Sequence, residues 1–100
     1  MYVELRSKKN NVRANGDYDK STGILIVRAG SVVSENISNS KTFRGRKTII
    51  EKRDGIIENC VLKENVTFNS PSTAANFVMG SSCNGLKVWK NEEGTPIGDL

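Results

Sequence analysis

A nucleophilic side chain needs a base beside it, and this 100-residue chain contains no histidine to serve as one. The base would have to be a lysine or a carboxylate, and no spacing marks one out. Neither a glycine-flanked serine nor a phosphate-cradling glycine loop is present. Asp17/Asp19 and Glu92/Glu93 alternate with small turn residues or adjoin each other, which is how solvated turns look. Cys60 and Cys83 are the only thiols and stand 23 positions apart, without a C-x-x-C pair or a histidine to complete a zinc set. Two reduced structural cysteines are therefore expected, with no metal, no cofactor and no catalytic residue, so that the chain is expected not to be an enzyme.

Positive charge is what the sequence concentrates. Residues 41–53 hold Lys41, Arg44, Arg46, Lys47, Lys52 and Arg53 against Glu51 alone. The first fifty residues carry 10 basic and 4 acidic side chains and the second fifty carry 5 and 7, so the net +4 belongs to the first half. Such density can neutralise several phosphates, each contact adding salt dependence, although a solvated helix face has the same composition. Arg6, Lys8, Lys9, Arg13 and Arg28 could extend the patch. At Ser70-Pro71-Ser72 a helix N-terminus offers unpaired N–H groups and two hydroxyls to a phosphate oxygen, or simply an ordinary cap. Trp89, between Lys87 and Lys90, could stack on a base or fill the core.

These residues need elements to hold them. Val3 and Leu5 alternate with Tyr2, Glu4 and Arg6 as a short half-buried strand, and Ser7–Asn11 is a polar turn. Asn15-Gly16 suits a tight turn or bulge, and Ile24–Val27 is a β-branched apolar run too short for a helix. A polar stretch over 34–40, an ordered loop or a frayed helix start, precedes a helix expected over Lys41–Arg53, ended by Asp54-Gly55. Ile56-Ile57, Val61-Leu62 and Val66–Phe68 are further strand candidates. The clearest element is Pro71–Met79: a hydroxyl N-cap, proline at the first helical position and Gly80 just beyond the end specify both termini. Asn84-Gly85 signals a turn, Leu86–Lys90 alternates as a strand, and Ile97 with Leu100 is expected to close the core. The whole reads as one α+β domain over 1–100, a small antiparallel sheet with two or three short helices packed on it. No stretch has the apolar length of a signal sequence or membrane span, so a cytoplasmic protein without membrane contact is expected.

The run Phe68–Gly80 (FNSPSTAANFVMG) followed by Asn84–Gly94 (NGLKVWKNEEG) resembles the bacterial family known as domain of unknown function 4357. That family places an F-x-S-P-S-A-A-A helix, an N-G-W-x-x-W-K element and a D-G-x-x-L close in this order. Gly16-Asp17-Tyr18 and Ile26–Ser31 are similar to its G-x-Y and V-L-x-G-S elements, so the likeness spans roughly residues 14–100. The chain departs at Leu86, where the family usually has tryptophan. Trp89 is therefore the aromatic carried over, with Ser70, Pro71, Ser72, Asn84 and Gly85. Family members lie at the C-terminal end of GIY-YIG nucleases and restriction-type enzymes, and a related-looking domain has been proposed to sense modified DNA. The resemblance thus implies a non-catalytic accessory module of a DNA-processing or restriction-type system. Its expected partners are double-stranded DNA and an attached or partner nuclease domain, and the expected contacts are Arg44, Arg46, Lys47, Lys52, Arg53, Ser70, Ser72, Asn84, Lys87, Trp89 and Lys90. The alternative is a docking domain that uses its apolar helix face and Trp89.

Overall fold

A computed structural model describes residues 1–100. The chain runs through β1 (Tyr2–Ser7), β2 (Val12–Tyr18), β3 (Leu25–Val27), α1 (Arg46–Arg53), β4 (Ile57–Glu58), β5 (Val61–Leu62), β6 (Val66–Phe68), α2 (Pro71–Met79), α3 (Gly85–Val88) and a 3-10 turn at Ile97–Asp99. This is the α+β architecture expected from the sequence. Strands β1, β2, β3 and β6 form one sheet in that order, each pairing antiparallel. Because side chains alternate across a strand, Val3, Leu5, Val12, Ala14, Tyr18, Leu25, Val27 and Phe68 fall on one face and are buried. The other face shows Tyr2, Glu4, Arg6, Arg13, Asn15 and Asp17 to solvent.

Helix α2 covers the inner face. Its Ala74, Ala75, Phe77 and Val78 are buried, and the Phe77 ring meets Phe68 of β6 at 5.0 Å between centroids, tilted by 50°. Burying each large apolar side chain in this layer stabilises the fold by roughly 1.5–3 kcal/mol. The ends of α2 fall where expected: Ser70 Oγ accepts from the Thr73 N–H, and Gly80 closes the helix in the left-handed conformation. Helix α1 packs on α2 and buries only Ile49.

Four expectations give way. Asn15-Gly16 is the middle of β2, not a turn. Gly16 pairs with Val3 and Val27, and a Cβ there would stand 2.6 Å from the Ile26 carbonyl oxygen, so glycine serves close strand approach. The helix expected from Lys41 starts only at Arg46, after turns that bury Phe43. Leu86–Lys90 is helical through Val88 instead of a strand, because Asn84 caps it: its Oδ1 accepts from the Leu86 N–H at 3.1 Å. Leu100 is 43% exposed and leaves core closure to Ile97.

Past α3 the chain returns to the sheet. Lys90 exchanges backbone hydrogen bonds with Glu4 at 2.8 and 2.9 Å and so covers part of the β1 edge. The β4–β5 hairpin turns through Asn59 and Cys60, both at positive φ (52° and 66°), the geometry of a two-residue hairpin turn.

Candidate nucleic-acid interface

The serine–proline–serine start and the Asn84–Trp89 segment form one structural unit. Gly85 N–H donates to Ser72 Oγ at 3.0 Å, and the indole Nε1–H of Trp89 donates to the Pro71 carbonyl at 3.0 Å. A Cβ on Gly85 would stand 2.2 Å from the Pro71 carbonyl carbon and 2.3 Å from Ser72 N, so α3 seats directly on the first turn of α2. The Ser70 hydroxyl is engaged with Thr73 N and Oγ1. This helix start, expected to receive a phosphate, is thus occupied by the chain's own groups, with Asn84 capping α3. Trp89 is fully buried, which corrects its placement as a base-stacking platform. The helical turn of α3 carries the ring inward, where strand alternation would have set it beside Lys87, and the Pro71 carbonyl satisfies its N–H.

The basic segment divides in the same manner. Arg53 is not a surface cation. Its guanidinium donates from Nε and Nη2 to Phe77 O (3.0 and 2.6 Å), from Nη1 to Ser34 O (2.9 Å) and from Nη2 to Ser34 Oγ (3.0 Å). It thereby satisfies a last-turn carbonyl of α2 and clamps the 34–38 loop to that end. Burial draws the Arg53 pKa below the usual guanidinium value. Arg46 is half-buried and donates to Ser38 O at 3.0 Å. What remains open is Lys41, Arg44, Lys47 and Lys52, all exposed. None of the four is in an ion pair; the pairs of the fold are Arg6–Glu4, Arg28–Asp17 and Lys63–Glu58. Lys52, although exposed as a residue, sets its Nζ 4.9 Å above the Phe68 ring centroid.

Lys87 and Lys90 belong elsewhere, with the sheet's outer face. There Tyr2 Oη donates between Glu4 Oε2 (3.1 Å) and Asn15 Oδ1 (3.0 Å), and Arg6 donates to the same Glu4 oxygen at 3.1 Å. Arg28 grips Asp17 with two bonds of 2.7 Å. Hydrogen bonding from Arg6 holds the Glu4 carboxyl below its usual pKa, and Arg28 does the same to Asp17. Desolvation, reinforced by Glu4, raises the Tyr2 phenol. Arg13 has no such partner and stands directly across from Arg6. The alternation of Arg6 and Arg13 with buried neighbours was the sequence signal for this face. The inclusion of Lys87 and Lys90 had none, because it depends on α3 being a helix and on the Lys90–Glu4 bridge.

No group of three or more Asp, Glu or Cys side chains converges where a metal ion could be held, and no helix is long and apolar enough to cross a membrane. The family model described as Domain of unknown function (DUF4357) matches residues 5–100. The chain belongs to that family. No curated protein and no solved structure matches it. The DUF4357 motif residues Ser70, Ser72, Asn84, Gly85 and Trp89 therefore have a structural account in this domain: they cap two helices and lock one onto the other.

Proposed function

We propose that this DUF4357 domain is a non-catalytic module that binds the phosphate backbone of double-stranded DNA through α1 and the turns before it. In this role it serves as an accessory part of a DNA-processing or restriction-type system, attached to or partnering a nuclease. One observation carries the proposal: Lys41, Arg44, Lys47 and Lys52 are exposed and lack carboxylate partners, although acidic residues elsewhere do form ion pairs. Cations left unpaired at a surface remain available to phosphates and release counterions on contact. With no histidine in the chain to act as a general base, a binding role is favoured over catalysis. A docking role that uses the apolar face of α2 and Trp89 has lost both surfaces to the core.

The test is an anisotropy titration with plain and methylated duplexes at 50 and 200 mM salt, comparing the protein with K41E/R44E/K47E. Arg46 and Arg53 are left intact because each also holds backbone carbonyls. The parent should bind at low salt and the variant should lose most of that affinity. Absence of binding by the parent at 50 mM salt ends the proposal.

A further inference from the structure

The outer face of the sheet gathers cations that α1 does not explain. Arg6 and Arg13 are directly opposed across the β1–β2 ladder, with both side chains exposed. Like charges in that position destabilise a strand pair. Glu4 partly offsets Arg6, and nothing offsets Arg13. Around Arg6 lie three adjoining surface hollows: one shared with Lys87 and Lys90, one with Arg13 and Asn15, and one with Arg13 and Lys8. Lys8, Arg13, Lys87 and Lys90 therefore ring a single guanidinium, and Glu4 is the one acidic side chain lining these hollows. No α1 residue lines any of them.

We infer that this strip is a second phosphate-binding surface, and that the domain bridges two separate stretches of nucleic-acid backbone. The inference rests on the phosphate-binding role proposed above. Helix α1 packs on α2 and reaches the sheet's inner side where Lys52 lies over Phe68, whereas the strip lies on the outer face, so the sheet stands between the two cationic surfaces. The two faces of the sheet look to different sides of a domain with extents of 32 × 28 × 26 Å, so each surface is open to its own stretch of backbone. Arginines and lysines spread over a surface in this way fit the regularly spaced phosphates of a backbone and contribute no base reading.

The experiment uses the full chain and two short duplexes that carry a donor and an acceptor fluorophore. The parent should bind one duplex and, with both present, give energy transfer between them. R13E/K90E should still bind a single duplex through α1, with that complex's salt slope kept, but lose the energy transfer. K41E/R44E/K47E should likewise lose the transfer while keeping residual single-duplex binding. Melting of R13E/K90E should match or exceed the parent's, because the Arg6–Arg13 opposition is relieved; if that variant does not fold, R13Q/K90Q carries the same comparison. The inference is overturned if the parent binds a duplex without energy transfer, or if the sheet-face variant keeps the parent's transfer. Failure of the parent to bind any duplex would instead remove the phosphate-binding role itself.

Discussion

Replacing Arg53 separates a structural cation from a ligand-binding one. Its guanidinium serves two backbone carbonyls, Phe77 O and Ser34 O, with bonds between 2.6 and 3.0 Å, and stacks 5.7 Å from the Phe77 ring centroid. A hydrogen bond to a charged group contributes roughly 1.5–3 kcal/mol. Taken at the low end, because water partly reaches the side chain, the loss in Arg53→Met is about 3 kcal/mol. For a domain of this size that lowers the melting temperature by roughly 12 °C or more. Arg53→Lys keeps the charge but cannot reproduce a planar fork that reaches both carbonyls, and about half of the loss should persist. Lys47→Met, on the exposed part of the same helix, should stay within about 0.5 kcal/mol of the parent. Thermal unfolding followed by circular dichroism reads all three. An Arg53→Met protein that melts within 3 °C of the parent would refute the clamp assigned to this residue.

Gly85→Ala should cost about 3 kcal/mol or prevent folding, since its methyl would meet the Pro71–Ser72 backbone; denaturant unfolding measures it. Trp89 emission should be that of a buried indole, resist acrylamide quenching and stay unchanged when duplex is added, whereas a base-stacking tryptophan would be quenched by the duplex. Asp17→Asn should lower stability near neutral pH by under about 1 kcal/mol, because the Arg28 pair is exposed. Arg28 depresses the folded pKa of Asp17, so that contribution is present above the unfolded carboxyl pKa and fades as pH falls through the folded one. The difference in melting temperature between parent and variant should therefore close on acidification below about pH 4. A difference that holds constant down to pH 2 would contradict the ion pair.

Helix α2 was legible because both of its ends are written in local chemistry: a hydroxyl, a proline and a glycine at the positions helix termini favour. The sheet's inner face was legible from the alternation around Val3 and Leu5. The Leu86–Lys90 segment was misread because five residues fit either periodicity, and contacts that fix its path, Gly85 on Ser72 and Trp89 on Pro71, lie 13 and 18 residues back along the chain. Arg53 shows the same limit from the other side. A charge on a basic helix looks like its neighbours until one carbonyl that it satisfies, Phe77 O, is known to end a second helix 24 residues on. The open cations of α1 could be picked out from the sequence only as a group. Which of them are free depends on the tertiary positions of Ser34 and Ser38.

The slope of log affinity against log salt for a plain duplex tests the phosphate-binding proposal most directly. Contacts from Lys41, Arg44, Lys47 and Lys52 call for a slope of about −3 or steeper between 50 and 200 mM salt. A slope flatter than about −1, or no measurable complex at 50 mM, would contradict it.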